Sequence, residues 1–448
     1  MNEVLERFIA KAPVSVMVRA TLLRVLSDTT LDALFERHAQ AQYTRDLAFS
    51  TVTRLMTKVV FSIYPSVHAA FLSAEDEIPV SVTSLYNKID GLETGVSQAL
   101  VGETAASMHE IIMALPGVPE TPVTGLRLRT LDGNFLAGTE HRLGCLRDSG
   151  AAALPGMSLV VRDGRTGLLT DLIPCEDAYT AERSLHPEIL ALVHPDDLWL
   201  MDRNFCTNDY LEGMTQRQAY FLVRHHAGTT LHPMGAETQL KENPEGTISE
   251  QWVRAGAVEC RCIIIRLKKA LRDGTTEIRL LTNVPAHRLD AQQIANWYRT
   301  RWRIESAFQE LTDNLCCEIK TLAYPKAALF GFALAVVAYN LLVVTRTAMA
   351  SGLMGEGVTE SSVSSYHMAV EVDAFSEGLS IALPEPMWQR FVEMTAKEFA
   401  VWLEEIASTL NWRKYRKKPR GPKKPAQVKR TSRGAHRSTA RVIKESKK

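Results

Sequence analysis

The chain has 448 residues, of which 46% are hydrophobic and 23% are charged. This length and composition predict a soluble globular protein with two or three domains and a sizeable core. The seven cysteines show no disulfide-framework spacing and no secretory leader is recognisable, so we expect a reducing cytoplasm. Neither Cys260-x-Cys262 nor Cys316-Cys317 has the partners of a zinc site, and buried structural cysteines are expected there.

Charge is distributed unevenly along the chain, although the net charge is only +1. From Arg413 to Lys448 there are 16 Lys and Arg residues against a single acid, whereas the rest of the chain has 36 bases and 50 acids. The segment 412–448 is also rich in Pro, Gly and Ser, and we expect a disordered tail. Such a run is either a solubility tail or a binding segment for a polyanion, and nucleic acid is the favoured partner.

Apolar spacing predicts helices over residues 1–115, which form an N-terminal domain. Within this region, "IPVSVTSLYNKIDGLE" has a cap-forming cluster of Ser81, Thr83 and Ser84 before a helix with Tyr86, Asn87 and Lys88. The segment fits a helix-turn-helix element that contacts DNA and an ordinary helical hairpin equally well. Both interpretations therefore stay open.

Residues 120–345 are predicted to form a second domain of α/β class. The first strand, in "GLRLRTLDGNFL", contains Asp132, and "MSLVVRDGRTGLLTDLIP" predicts two more strands joined by a turn at Asp163-Gly164. A helix in "AERSLHPEILALV" precedes a fourth strand, "DDLWLMDRNF", which ends at Asp202. A helical stretch at 208–219 is followed by an inserted β-rich region at about 220–285.

Helical periodicity returns in "RLDAQQIANWYRTRWRIESAFQEL", for which Asp290 is the expected N-cap. The run at 327–345 has 19 residues without a charge, which is long enough for a membrane span. Because Asn340 lies inside this run, we favour a buried core helix. Residues 346–411 are expected to form a mostly helical C-terminal region.

The segment "NWYRTRWRIESAFQELTDN", residues 296–314, is predicted to lie in a single helix. At about 100° per residue along an α-helix, these side chains form two neighbouring stripes, one polar and aromatic and one apolar. The polar and aromatic stripe holds Tyr298, Arg301, Trp302, Glu305 and Gln309, and the apolar stripe holds Ile304, Ala307, Phe308 and Leu311. Taken alone, the Arg301–Glu305 pair is best explained as a surface salt bridge that contributes about 0.2–0.5 kcal/mol.

The two strand aspartates change that interpretation. Asp132 and Asp202 on adjacent predicted strands, with Glu305 from a helix packed on the sheet, can supply the oxygen ligands for two Mg²⁺ ions. Two such ions stabilise the attacking and leaving oxygens of an in-line phosphoryl transfer, and we expect that Mn²⁺ can substitute. Arg301 and Arg303 would then bind phosphate oxygens, because a guanidinium group matches their geometry.

These residues resemble the DDE insertion-sequence transposases with a ribonuclease-H-like core, in the subgroup with the signature Y-x2-R-x3-E-x6-K. Tyr298, Arg301 and Glu305 match its first three positions, and Thr312 stands where the family has lysine. Lys320 lies too far along an ideal helix to replace that lysine simply. The resemblance covers roughly residues 120–425.

Further site residues follow from this resemblance. "LDGNFL" and "LWLMDRNF" resemble the two aspartate strands, so Asp132, Asp202 and Glu305 are the implied catalytic metal ligands. Implied DNA contacts come from Tyr298, Arg301 and Arg303, with Arg203 beside the second aspartate. Trp252 in the inserted region is either a core residue or an aromatic that stacks on a flipped DNA base, as in related transposases. Asp148, Asp163 and Asp171 are rivals of Asp132, although a turn explains Asp163.

The sequence therefore predicts an α/β, ribonuclease-H-like transposase that cleaves DNA at element ends and transfers the strands into target DNA. The expected partners are double-stranded DNA, both terminal inverted repeats and target, and a second copy of the chain. The expected location is the bacterial cytoplasm, at the nucleoid and without a membrane. The N-terminal helices would read the element ends. Two alternatives are a catalytically impaired, transposase-derived DNA-binding protein and a structure-selective nuclease on the same fold.

Overall fold

The N-terminal region is helical, as its apolar periodicity predicted. The computed structural model of the chain describes residues 3–42, 44, 46–118, 123, 125–136, 143–146, 153–243, 246–271, 274–418 and 437–447. The helices of the N-terminal region are α1 Glu3–Lys11, α2 Pro13–Val25, α3 Asp28–His38, α4 Phe49–Val60, α5 Val67–Leu72, α6 Val82–Gly91 and α7 Thr94–Ala114. Helix α6 starts at the predicted cap, since Ser81 accepts a hydrogen bond from the Ser84 backbone N–H. Its Lys88 lies 4.1 Å from the centre of the Phe35 ring, so packing accounts for that lysine.

The central sheet has a ribonuclease-H-like core, as predicted. The strands of the described chain are β1 Arg127–Phe135, β2 Ala153–Leu154, β3 Met157–Asp163, β4 Leu169–Cys175, β5 Asp197–Met201, β6 Tyr220–Arg224, β7 Leu231–Pro233, β8 Thr238–Asn243, β9 Gly246–Ala255, β10 Val258–Leu267, β11 Glu277–Thr282 and β12 Arg437–Ser438. The core order is β4-β3-β1-β5-β6. Strand β3 is antiparallel to β1 and β4, whereas β5 is parallel to β1 and β6.

The predicted β-rich insertion extends this same sheet. Strand β11 pairs with β6, and the order continues through β10, β9 and β7, while β8 pairs with β9. The strand that opens the predicted insertion at residue 220, β6, is itself the fifth strand of the core. The insertion therefore adds antiparallel strands to one edge of the core.

Helices cover both faces of the sheet and one of its edges. The remaining helices of the described chain are α8 His186–Leu190, α9 Asn208–Gln216, α10 Ala291–Arg299, α11 Arg303–Asn314, α12 Pro325–Gly352, α13 Ser365–Ala382, α14 Gln389–Glu393, α15 Ala396–Thr409 and α16 Thr439–Ser446. Helices α8 and α9 pack on one face, and α10 packs on the other. The largest core joins the N-terminal helices, α11, α12 and α15 to strands β3 and β4.

Helix α12 is a core helix, although its length and hydropathy are those of a membrane span. Its most apolar 18-residue window is completely buried inside the fold. Asn340 explains the polar interruption, because its amide donates to the carbonyl oxygen of Leu169 and accepts from its N–H, both at 2.8 Å. Leu169 lies on β4, the edge strand, whose outer backbone groups need partners when a helix covers them.

The C-terminal tail is partly ordered, which corrects the predicted disorder over residues 412–448. Tyr415 is buried and donates a hydrogen bond to Glu371. Further along, β12 pairs in parallel with β2, and α16 packs Val442 against Leu146. Buried Tyr415 and Val442 supply the apolar contacts that a composition dominated by charge conceals. Residues 419–436 of the tail lie outside the described residues.

Candidate active site

Asp132 on β1 and Asp202, which directly follows β5, occupy equivalent positions along two adjacent parallel strands. Strands β1 and β5 pair from Arg127 opposite Asp197 to Thr130 opposite Leu200, a constant offset of 70 residues. The two aspartates continue this offset two residues further, and their charges are close enough to interact. Because alternate residues share a face, both lie on the face where α10 packs.

The signature segment is interrupted, which corrects the prediction of one helix over residues 296–314. Helix α10 ends at Arg299, a 3₁₀ turn spans Thr300–Trp302, and α11 begins at Arg303. Helix α10 starts at the predicted N-cap with a capping box between Asp290 and Gln293. The tighter turn rotates Arg301 and Glu305 away from the positions that an uninterrupted α-helix would give them.

The apolar stripe of α11 sets the direction of Glu305. Ile304, Ala307 and Leu311 are buried in the core, as predicted, and Phe308 packs against its edge. Glu305 lies on the neighbouring face, and its side chain is 52% exposed. Packing of α11 therefore holds this carboxylate outside the core, within reach of Arg301.

Arg301 links the carboxylates of the site. Its Nη1 donates to Asp132 Oδ2 at 2.8 Å, and its Nη2 donates to Glu305 Oε1 at 2.7 Å. Although burial opposes the charge of Arg301, the carboxylates around it raise the pKa of the guanidinium. Burial also raises the pKa of Asp132, against the opposing effect of Arg301. The predicted arginine thus contacts two predicted metal ligands directly.

Tyr298 and Arg203 lie beside this group. Burial raises the pKa of Tyr298 to about 12, and Arg301, Asp202 and Arg224 are charged groups near its phenol. Arg203 is exposed in the 3₁₀ turn that directly follows Asp202. The structure therefore brings together five of the predicted site residues: Asp132, Asp202, Tyr298, Arg301 and Glu305.

Arg303, Trp252 and Thr312 are placed differently. Arg303 is exposed beside Arg162, and burial, with the positive charge of Arg162, lowers its pKa. Trp252 lies on β9 with 51% of its surface exposed, so it is not a core residue. Thr312 is exposed on α11, and its hydroxyl donates to the carbonyl oxygen of Phe308 at 3.1 Å.

The rivals of Asp132 in the described chain have other partners. Asp163 is buried in the predicted turn, where Oδ1 accepts from Thr166 N–H at 2.8 Å. Asp171 forms an ion pair with Arg129. Both carboxylates are thus explained by local structure, whereas Asp148 lies outside the described residues.

Glu182 is a fourth acid of the site that the sequence did not reveal. The amide of Asn204 donates to Glu182 Oε2 at 3.2 Å, while the Asn204 N–H donates to Asp202 Oδ1 at 2.7 Å. Burial raises the pKa of Glu182, and the charges of Asp202 and Asp132 act in the same direction. A Cβ at Gly133 would lie 1.9 Å from Glu182 Oε1, so the glycine leaves room for this carboxylate. The stretch "AERSLHPEIL" indicates only a helix, and nothing in its spacing marks Glu182.

The donor set fits a hard divalent cation in its chemistry, because Asp132, Asp202 and Glu305 all offer carboxylate oxygens. Within the described ranges, however, no group of three His, Cys, Asp or Glu side chains is placed so that it could hold one metal ion. The Arg301 guanidinium lies between Asp132 and Glu305 and supplies positive charge there. Arg301 occupies one oxygen of Asp132 and one oxygen of Glu305 in this arrangement.

The sheet order, with carboxylates on β1, directly after β5 and on α11, defines an α/β protein with a ribonuclease-H-like sheet and an acidic site. Residues 148–341 match the family model of the transposase DDE domain, which confirms the predicted resemblance for this part of the chain. The matched range contains Asp202 and Glu305 and begins after Asp132.

One solved structure that is similar to the chain is a piggyBac transposase synaptic complex with hairpin DNA. It is 12% identical, with a TM-score of 0.43, over 87% of this chain and 85% of that chain. No curated protein sequence matches the chain.

Proposed function

We propose that the chain is a cut-and-paste DNA transposase in which Asp132, Asp202 and Glu305 are the catalytic carboxylates. The observation that carries the proposal is the register of β1 and β5, which sets the two aspartates side by side near Glu305. The match to the transposase DDE domain supports the class of reaction, since the matched segment holds Asp202 and Glu305.

The three carboxylates would hold two Mg²⁺ ions, for which Mn²⁺ can substitute. Bound there, the ions supply an activated nucleophile and stabilise the leaving oxygen of an in-line phosphoryl transfer. Arg301 would then turn from Asp132 and Glu305 to a DNA phosphate, which matches its fork of donors. Tyr298 would orient the same phosphate, because its phenol lies beside Arg301 and Asp202.

The substrate in this proposal is double-stranded DNA, first at the inverted repeats of the element and then at the target. Attack of water on the phosphodiester at the element end would free a 3′-hydroxyl and leave a 5′-phosphate. That hydroxyl would then attack a phosphodiester of another strand, forming a new phosphodiester bond as the attacked strand breaks and releases its own 3′-hydroxyl. Arg203 and Arg303 would add phosphate contacts, and exposed Trp252 is available to stack on a base. The N-terminal helices would read the element ends.

Regions outside the carboxylate site would increase the affinity for DNA and hold two copies of the chain together. The 16 bases of residues 413–448 would add sequence-independent affinity that weakens as salt rises. Two ends must be joined in one reaction, so we expect a homodimer on DNA. We place this activity at the nucleoid of a bacterial cytoplasm, where the proposed DNA substrate would lie.

The decisive experiment uses the DNA that flanks the coding sequence, which would carry the inverted repeats. Purified protein is incubated with this DNA in Mg²⁺, and both strand cleavage and joining to a target plasmid are measured. We expect both activities in the wild type, neither in Asp202→Asn or Glu305→Gln, and full activity in Asp313→Asn. Asp313 is an exposed acid on the same helix α11, so this variant controls for the loss of one charge.

The two alternatives give different results in the same assay. Equal inactivity of the wild type and Asp202→Asn, with DNA binding retained by both, would identify an impaired DNA-binding protein. Cleavage without strand joining would identify a nuclease. Either result overturns the proposed reaction.

A further inference from the structure

Two arginines beside the acidic site have no protein partner among the described residues. Arg203 is exposed in the turn after Asp202, and Arg224 is half-buried at the end of β6. Neither guanidinium has a hydrogen bond or an ion pair within the part of the chain that the structure describes. By contrast, Arg301 already uses two of its nitrogens on Asp132 and Glu305. Arg203 and Arg224 are thus free to bind an anion, whereas the signature arginine, Arg301, is not.

Both free arginines line one surface cavity of about 320 Å³. Because about 10–15 Å³ is enough to admit one water, this cavity has room for a phosphate group and its hydration. Apart from Ala227 and one acid, Glu277, the lining consists of three arginines and two histidines, including Arg279.

The single acid of the cavity does not neutralise the free arginines. Glu277 accepts from Arg279 at 2.8 Å and lies 3.1 Å from Arg266, so it already has two cationic partners. Arg203 and Arg224 therefore have no ion-pair partner within the cavity. A pair of guanidinium groups without ion-pair partners attracts a phosphodiester, because each presents a planar fork to its oxygens.

The cavity borders the acidic site directly. Arg203 is the next residue after Asp202, and Tyr298 lies close enough to both Asp202 and Arg224 for their charges to act on its phenol. The 3₁₀ turn Arg203–Phe205 separates two environments, since Arg203 lines the basic cavity and Asn204 binds Glu182 on the acidic side.

We propose that Arg203 and Arg224 form a phosphate-binding site for the DNA strand next to the phosphate that is cleaved. The proposal rests on the proposed function, and it adds Arg224 on β6 to the residues that contact the substrate. DNA fits better than a small anion, because the cavity lies at the surface and borders the proposed site of phosphoryl transfer on DNA.

The test measures DNA affinity without cleavage, in EDTA, between about 50 and 200 mM salt. The probes are a duplex from the DNA that flanks the coding sequence and an unrelated duplex of equal length. We expect Arg203→Gln and Arg224→Gln each to weaken binding of both duplexes and to reduce the slope of log K against log salt by about one. The double variant should reduce the slope by about two, and Arg224→Lys should restore most of the loss.

Lys268→Gln is the control. It removes one positive charge just beyond β10 of the same sheet, but Lys268 is paired with Glu242 at 3.3 Å and does not line the cavity, so the slope should stay at the wild-type value. Slopes of Arg203→Gln and Arg224→Gln that equal the slope of this control would overturn the proposal. Thermal melts of each variant separate loss of binding from loss of folding.

The outcomes for the phosphate site and for the transposase are distinguishable. Unchanged slopes together with Mg²⁺-dependent cleavage by the wild type would reject the phosphate site and leave the transposase standing. Reduced slopes without cleavage would support the site and reject the enzyme. Failure of the wild type to bind either duplex would reject both.

Discussion

Arg301 Nη1 lies 2.8 Å from Asp132 Oδ2, although the two residues are 169 positions apart in the chain. The same guanidinium reaches Glu305, so one arginine forms ion pairs with carboxylates from a strand and from a helix. Asp202 and Glu182 have no cationic partner among the described residues. The site therefore carries more acids than bases, which favours a further cation near Asp202.

Arg301→Gln is expected to bind divalent cations more tightly than the wild type. The substitution removes the cation that competes for Asp132 and Glu305, while it leaves their oxygens in place. Without metal, loss of the two charged hydrogen bonds should lower the free energy of unfolding by about 2 kcal/mol. With Mn²⁺, the rise in melting temperature should exceed that of the wild type. Thermal melts at increasing Mn²⁺ measure both effects.

Arg303→Gln is the control for this prediction. Arg303 is two residues away from Arg301, and it is an exposed arginine that lies beside Arg162. Its Mn²⁺ response should equal that of the wild type. Combining Arg301→Gln with Asp202→Asn should abolish the extra response, since Asp202 is one of the proposed ligands. An equal Mn²⁺ response in Arg301→Gln and Arg303→Gln would show that Arg301 does not compete with metal.

Gly133→Ala is expected to destabilise the protein only while Glu182 is present. The new Cβ would lie 1.9 Å from Glu182 Oε1 and 2.9 Å from its Cδ, so the carboxylate must rotate and release Asn204. A flexible side-chain end can move, and we expect a cost of about 1 kcal/mol rather than unfolding. In a Glu182→Ala background the same substitution should be neutral or stabilising. Urea denaturation of the four proteins of this cycle gives the coupling, and additive effects would contradict the predicted contact.

Asn340→Leu is expected to lower the free energy of unfolding by about 2–4 kcal/mol. Leucine suits the apolar surroundings of α12, but it leaves both the N–H and the carbonyl of Leu169 without a partner in a buried place. Leu342→Met, which changes a buried residue of the same helix at nearly constant volume, should cost less than about 1.5 kcal/mol. Urea denaturation compares the two, and equal losses would mean that the amide contributes nothing specific.

Local patterns in the sequence predicted the elements of the core because each element has its own period. Alternation marked β1, β3 and β4, and the short apolar run before Asp202 marked β5. The side-by-side position of Asp132 and Asp202 then depends only on parallel pairing at a fixed offset. The Asp290 cap and the apolar stripe of α11 could be predicted in the same way, since both depend on residues that lie close together in the sequence.

Contacts between distant segments were the part that the sequence could not supply. Glu182 joins the site through Asn204 and the space at Gly133, which no spacing in its own helix reveals. The interruption at Thr300–Trp302 follows a stretch with ordinary helical periodicity, so an ideal helix was the natural expectation. Order near Tyr415 and Val442 was hidden because charge dominates the composition of the tail.

Asp90→Asn is expected to stabilise the protein at alkaline pH and to have no effect in acid. Burial near the end of α6 raises the pKa of Asp90 to about 6, so the folded protein favours the protonated acid. The stability that this group contributes is complete below its unfolded pKa of about 3.9, and it is lost as pH rises through about 6. A neutral amide avoids that loss, and it also removes a negative charge from the C-terminal end of a helix. Because Asp90 is only partly buried, solvent screening limits the gain at about pH 8 to under about 1 kcal/mol.

Urea denaturation of the wild type and Asp90→Asn at about pH 4, 6 and 8 should show curves that coincide at the lowest pH and separate as the pH rises. Asp76→Asn, an exposed acid in the 3₁₀ turn Glu75–Glu77, should show no such separation, and a constant difference between wild type and Asp90→Asn at all three values would contradict the assignment.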